Sequence, residues 1–231
     1  MKPTNPLISC ICITNNRPKL LQQAINCFES QNYINKELVV SYPKDDLLTK
    51  ALVASYDLKG SVNILSIERN PEETLGNARN HALYKCHGDY VCVWDDDDWY
   101  HSSRLSFQFN SLHTVGPGFQ ASILTRIILY DFTTHLGYLS FPYNWDGTLL
   151  CRKEMLLQNQ YADRNKAEDT HVIPFLNSRK MLAQIHESPF LYIYTYHGEN
   201  TWSYDHFQIF IKKSHLLNQE FIDKVRALVN D

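Results

Sequence analysis

Four consecutive aspartates, Asp95, Asp96, Asp97 and Asp98, are the part of this chain best suited to chemistry. They follow the apolar run 90–94 (Tyr-Val-Cys-Val-Trp). A buried strand there delivers its carboxylates to the carboxyl edge of a sheet, where open α/β sheets bind ligands. Two like charges about 4 Å apart repel by about 1 kcal/mol in water and by about 4 kcal/mol at an effective dielectric of about 20. Four of them against an apolar strand need compensation, and a hard divalent cation with oxygen ligands supplies it. The competing reading is a solvated turn in which Asp98 caps the following helix. A metal-holding run suits Mg2+ or Mn2+ bridging phosphates in kinases, nucleotidyltransferases and sugar transferases alike, so it does not choose among them.

Elements must position these residues. Residues 7–14 are β-branched and almost all apolar, as in a strand buried on both faces. Pro18 then suits a first helical turn, and Leu20, Leu21, Ala24, Ile25 and Phe28 recur at helical spacing. The alternation continues with a strand at 37–41, a helix at 47–56, a strand at 62–67, a helix at 74–84, the strand 90–94 and a helix at 104–112. Such alternation implies right-handed crossovers and a largely parallel sheet, an α/β fold of the Rossmann-related kind. After Gly118 the pattern changes. Strands are expected at 123–130 and 136–141, a short helix near Arg152, a last strand at 191–196 and a C-terminal helix at 219–229. A single domain over 1–231 is expected, with a ligand-binding half (1–115) and a second half (116–231) that ends in the helix.

Bulk properties narrow the partners. The 231 residues are 44% hydrophobic and 20% charged, which supports a sizeable core. A net charge of −3 implies no broad basic surface and argues against nucleic acid. The six cysteines form no C-x-x-C pair and read as reduced thiols of a cytoplasmic protein. Residues 1–6 lack the charged start and apolar core of a signal peptide, and no apolar run approaches membrane-spanning length. Work at a membrane would be peripheral, at its inner face.

Five segments, in order, resemble the family 2 glycosyltransferases, whose fold is the nucleotide-sugar-binding GT-A fold. They are Thr14-Asn15-Asn16-Arg17-Pro18, Leu75-Gly76-Asn77-Ala78-Arg79-Asn80, Gly88-Asp89-Tyr90-Val91 leading into Trp94-Asp95-Asp96-Asp97-Asp98, Glu168-Asp169, and His197-Gly198-Glu199-Asn200-Thr201. The third is similar to the family's Asp-x-Asp motif. The resemblance implies a metal-dependent, inverting transfer of a sugar from a nucleoside-diphosphate sugar to a glycan, lipid-linked or other hydroxyl acceptor. It implies that Thr14, Asn15 and Arg17 line the nucleotide pocket, and that Arg79 lies near the donor phosphates or fixes the aspartates. Asp95 would contact the ribose or the metal shell, Asp96 would lie on the donor side, and Asp97 would ligate Mn2+ or Mg2+. His197 would add a metal ligand or a diphosphate contact. Asp169, beside Glu168, would be the catalytic base, with Asp163 as the fallback. One segment departs from the pattern. The acidic pair that usually follows the second strand is displaced, and Asp45 or Ser41 is left to read the nucleobase.

Each residue also has a plainer reading. Glu168 and Asp169 could simply favour a helix start, with Pro174 keeping that helix short. Arg79 could be a solvated charge. Trp99, Tyr100, Tyr143, Trp145 and Trp202 could pack or could stack on sugar rings, and the family resemblance implies that 145–148 (Trp-Asp-Gly-Thr) lies on the acceptor side. A metal-dependent nucleotidyl- or phosphoryl-transferase is the rival enzyme, although the chain holds no P-loop motif. A calcium-dependent carbohydrate-binding module is the rival without chemistry, and the strand–helix alternation argues against it.

Overall fold

The computed structural model describes residues 5–60 and 62–229. Residues 1–4 of the polar start lie outside the described residues. The chain runs β1 (Ile8–Ile13), α1 (Pro18–Glu29), β2 (Lys36–Pro43), α2 (Leu47–Lys59), β3 (Ile64–Arg69), α3 (Leu75–Lys85) and β4 (Tyr90–Val93). It continues through β5 (Trp99–Tyr100), α4 (Arg104–Val115), β6 (Ala121–Leu124), β7 (Ile128–Asp131), β8 (Leu136–Leu139), β9 (Leu150–Arg152), α5 (Lys153–Gln158) and α6 (Val172–Ser178). The last elements are β10 (Leu182–Ile185), β11 (Tyr192–Tyr196), α7 (Tyr204–Ile211), β12 (His215–Leu216) and α8 (Gln219–Val229).

Among the described residues, one sheet has seven strands in the order β10-β6-β9-β4-β1-β2-β3. β3, β2, β1 and β4 are parallel, while β9 is antiparallel to both β4 and β6. The apolar runs are nearly continuous because helices cover both faces. Cys10, Leu38 and Cys92 pack in one core with Leu21 and Phe28 of α1 and Phe109 of α4. Their chain neighbours Ile11, Val39 and Val93 pack in the other, with Leu83 of α3 and Leu176 of α6. Full burial of such side chains contributes about 1.5–3 kcal/mol each.

The chain steps outward from β1 to β2 and β3, then returns to place β4 on β1's other side. The ends of β1 and β4 thus flank a switch point, where such sheets hold ligands. A second sheet, in the order β12-β8-β7-β11-β5, lies beyond it. The acidic run is the connection between them: β4 belongs to the first sheet and β5 to the second.

The first half follows the sequence reading closely, and the second half corrects it. The expected strand at 123–130 is two strands in different sheets, β6 and β7. The break falls at Thr125–Ile127, where Thr125 N–H donates to Ile185 O (2.9 Å) and Ile127 N–H donates to Ser140 Oγ (2.9 Å). The strand at 191–196 is not the last, since β12 follows α7. Both expected halves, 1–115 and 116–231, contribute to both sheets: β6, β9 and β10 complete the first and β5 joins the second. The described cysteines are all free, and no helix among the described residues is long and apolar enough to cross a membrane.

Candidate active site

The end of β1 holds the acidic run from one side. Thr14 Oγ1 donates to Asp96 Oδ2 (2.5 Å). Arg17, in the β1–α1 loop, donates from Nε (3.1 Å) and Nη2 to Asp96 and from Nη1 to Asp97 Oδ2 (3.0 Å). Asp96 is buried, and burial, then the charge of Asp97, push its carboxyl up to about 7 against the pull of Arg17 and Thr14. Asn16 turns the loop with a left-handed backbone (φ 54°) and donates its N–H to Asp46 Oδ2 (2.8 Å). Asp46, which also caps α2 through Thr49 N–H, therefore occupies the position beside the loop. Asp45 is exposed and Ser41 is buried, and neither lines the cleft.

The second sheet holds the run from the other side. Asp98 accepts from the Tyr192 hydroxyl and from Thr195 N–H (2.9 Å), and the Thr195 hydroxyl donates to the Asp97 carbonyl. Asp98 is therefore not a helix cap; the residue preceding α4 is Ser103. Beyond β11, His197 Nε2 lies 3.2 Å from Asp97 Oδ2, and Asn200 Nδ2 lies 3.4 Å from the same oxygen. Asn200 closes the turn by accepting from His197 N–H (2.9 Å), and Gly198 supplies its φ of 91°. Burial pushes the Asp97 carboxyl up, but His197 and Arg17 outweigh it and hold the group below its ordinary range.

The first turns of α3 form a seat for the loop 159–171. Thr74 Oγ1 donates to Asp163 (2.7 Å), Leu75 N–H donates to Asn165 (2.9 Å), and Gly76 N–H donates to Arg164 O (3.1 Å). Asn80 bonds both backbone groups of Tyr161 (2.9 Å each). Gly76 is required by this contact: a Cβ there would lie 1.8 Å from the Ala162 carbonyl oxygen. Arg79 is neither solvated nor free, since its guanidinium lies 3.2 Å from Asp95 Oδ1 and 3.2 Å from Glu168 Oε1. It ties the end of β4 to the loop carrying Glu168 and Asp169. Those two precede α6, which starts later, at Val172, so they are not first-turn carboxylates. The Asp169 carboxylate lines the cleft with no hydrogen-bond or ion-pair partner among the described residues.

Thr14, Asn15, Arg17, Arg79, the four aspartates, Glu168, Asp169 and Asn200 line one cleft of about 670 Å³ that also takes in Tyr143, Trp145, Asp146, Gly147 and Trp202, while His197 lines a second cavity that shares Asp97 and Asp98 with it. Burial, then the charge of Asp169, push Asp146 up to about 7. Tyr100 is instead core, stacked on Trp94 (3.9 Å), and Trp99 faces a different cavity, lined also by His197. Two arginines escaped the sequence reading. Arg104 is fully buried, its guanidinium 4.7–5.4 Å from the ring centres of Tyr100, Tyr192 and Trp94, and it donates to Gly147 O (3.2 Å). Arg69, at the end of β3, donates to Thr14 O (3.1 Å) and lines the cleft. Nothing in their local spacing marks either, because long-range topology makes both contacts.

Among the described residues no three His, Cys, Asp or Glu side chains form a ready-made metal cage. Mg2+ needs fewer, since it is commonly held by one or two carboxylates plus substrate phosphates. Two adjacent ligands of an octahedral ion stand about 3 Å apart, close to the 3.2 Å between Asp97 Oδ2 and His197 Nε2. The donor set fits a hard divalent cation.

Residues 9–157 match the family described as Glycosyl transferase family 2. The chain belongs to this family. A relative from Campylobacter jejuni, named GalNAc(5)-diNAcBac-PP-undecaprenol beta-1,3-glucosyltransferase, is 29% identical over 101 residues, 44% of this chain and 33% of the relative. S. aureus TarS in complex with UDP-GlcNAc is 15% identical with a TM-score of 0.68 over 84% of this chain and 60% of TarS. The mannosyltransferase PcManGT of Pyrobaculum calidifontis, in complex with GDP-Man and Mn2+, gives 15% and 0.65 over 84% of this chain and 57% of its own. The likenesses in structure establish the fold as GT-A. This family 2 chain spans about a third of the curated relative and about three fifths of these structural neighbours.

Proposed function

We propose that this chain transfers a sugar from a nucleoside-diphosphate sugar to an acceptor hydroxyl, with inversion at the anomeric carbon. The observation that carries this reading is the single cleft in which Asp95, Asp96 and Asp97, the arginines Arg17, Arg69 and Arg79 and the unpartnered carboxylate of Asp169 converge. UDP-GlcNAc and GDP-Man with Mn2+ in neighbours of this fold support a nucleotide-sugar donor and a divalent cation. Thr14, Asn15, Arg17 and Arg69 line the nucleotide side. Asp97 and His197 would hold Mn2+ or Mg2+, which when bound supplies charge neutralisation of the leaving diphosphate.

Asp169 takes the acceptor hydroxyl's proton as that oxygen bonds to the anomeric carbon and the carbon–diphosphate bond breaks. The nucleoside diphosphate leaves on the opposite face. Arg79 positions Asp95 and Glu168 around this step. The name of the Campylobacter relative, a glucosyltransferase acting on a polyprenyl-diphosphate-linked glycan, supports a glycan or lipid-linked acceptor.

Thermal shift with nucleoside diphosphates and Mn2+, followed by nucleoside-diphosphate release assays, tests the reading. Asp97→Ala is expected to abolish the Mn2+-dependent shift. Asp169→Asn is expected to keep it while transfer falls by at least about 10²-fold, the low end of a positioned base's contribution. Release of pyrophosphate instead, or normal transfer by Asp169→Asn, would overturn it.

A further inference from the structure

The cleft has an aromatic wall that the donor chemistry leaves unused. Phe210 of α7 lies 5.1 Å from Trp145 and 5.8 Å from Tyr143, ring centre to ring centre. One helical turn back, His206 lies 5.2 Å from Phe210 and stacks on Trp202 at 4.1 Å. Most of the wall is packed, but two rings are open. Tyr143 is 46% exposed and Trp202 37% exposed, and both line the cleft. Trp145 is 8% exposed, and its indole Nε1–H is buried without an acceptor among the described residues. A buried donor left unpaired costs about 1–3 kcal/mol, so this one points to a partner that enters with a ligand.

Charge limits what that ligand is. Asp146 adjoins Trp145 in the chain, and Asp146, Glu168 and Asp169 line the same cleft. Arg17 is committed to Asp96 and Asp97 and Arg79 to Asp95 and Glu168, while Arg69, beside Thr14 and away from the aromatic wall, donates Nη2 to Thr14 O and leaves Nε and Nη1 without an acceptor among the described residues. Lys166 remains, and its ammonium sits 5.5 Å over the Trp202 ring. Beside the aromatic wall a phosphate-bearing acceptor would meet the carboxyl groups of Asp146 and Asp169, with Glu168 already paired to Arg79 and Lys166 the cation at the wall. Aromatic faces beside carboxylates suit a neutral ring with polarised C–H groups on one face and hydroxyls at its rim.

We propose that Tyr143, Trp145 and Trp202 form an acceptor subsite for a neutral pyranose, its C–H face laid on the open rings and its rim hydroxyls bonded to Asp146 and the Trp145 indole. One hydroxyl is then left toward Asp169. This assignment rests on the sugar-transfer reading and adds the acceptor's class to it. Phe210 covers the Trp145 indole, so the ring shifts as the sugar enters.

Steady-state transfer with a panel of neutral hexoses and N-acetylhexosamines, set against their 6-phosphates, tests it in the full chain. Tyr143→Ala and Trp202→Ala remove exposed rings and little core packing. Each is expected to raise the KM for a neutral acceptor at least about tenfold, equivalent to about 1.4 kcal/mol, with the donor KM little changed. Tyr143→Phe and Trp202→Phe should restore most of that loss. The 6-phosphates should be poorer acceptors by a similar factor. Unchanged acceptor KM in both alanine variants, or preference for the phosphorylated sugars, would overturn the subsite. Failure of the unsubstituted chain to bind any nucleoside diphosphate with Mn2+ would overturn the sugar-transfer reading beneath it, so the two failures are read from different measurements.

Discussion

Asp97 receives Arg17, His197 and Asn200 on one oxygen, Oδ2, which leaves Oδ1 without a side-chain donor among the described residues. The acidic run stood out because four carboxylates are rare at the end of a strand, whereas His197 and Asn200 entered only through the resemblance of the 197–201 segment to the family. Arg104 and Arg69 were not, since an arginine in a helix's first turn or at a strand's end is ordinary until its burial is known. Glu37, at the other edge of the sheet, was equally silent. It is buried and accepts from Ser9 Oγ (2.6 Å), His87 N–H (2.6 Å) and the His87 ring (2.9 Å). Burial pushes its carboxyl up, but these partners outweigh burial and hold it below its ordinary 4.5. A depressed carboxyl stabilises the fold above its unfolded pKa, and that contribution is lost as pH falls through the folded value. Glu37→Gln is therefore expected to lower stability by about 1–2 kcal/mol at neutral pH, with the gap from the parent narrowing below pH 4.5. Urea midpoints across that range check this, and a gap that stays constant into acid would refute the assigned partners.

At the scale of elements, helical and strand periodicity located β1 to β4 and the helices between them within a few residues. The short pieces β5, β9, β10, α6 and α7 offered too few residues for any period to show. α3 carries a second lesson. Its Gly-x-x-Arg-Asn start was open to reading as an anion contact, yet each residue serves the loop that brings Asp169 to the cleft. Gly76 admits the Ala162 carbonyl, Arg79 reaches Glu168, and Asn80 clamps Tyr161. Gly76→Ala must push that loop away, because a backbone oxygen at 1.8 Å has no rotamer to change. Misplacement by about 1 Å can cost about 10²-fold in rate. Turnover is expected to fall by that order while donor affinity, set largely by β1 and β4, changes little. Loss of donor binding in step with turnover would mean that α3 shapes the nucleotide pocket instead.

For the molecule as a whole, the acidic run is a joint as well as a site. All four aspartates line the cleft, and Asp98 also bonds β11 of the second sheet through Tyr192 and Thr195. The two sheets thus meet at the acidic run, and the switch of the chain at 125–127, from β6 of the first sheet to β7 of the second, interlocks them further. None of that was readable from local pattern, since each contact joins residues far apart in sequence. The joint makes a specific demand on Asp98. Its nearest charges are of its own sign, so its worth lies in accepting two hydrogen bonds rather than in carrying charge. Asp98→Asn keeps an oxygen for Thr195 N–H and sets an amide against the Tyr192 hydroxyl, which can accept. That variant is expected to lose less than about 1 kcal/mol, whereas Asp98→Ala strands two buried donors and is expected to lose about 3 kcal/mol. Chemical denaturation followed by tryptophan fluorescence and far-ultraviolet circular dichroism separates the two. Equal losses for Asn and Ala would show that the charge of Asp98, and not its hydrogen bonds, holds the second sheet to the first.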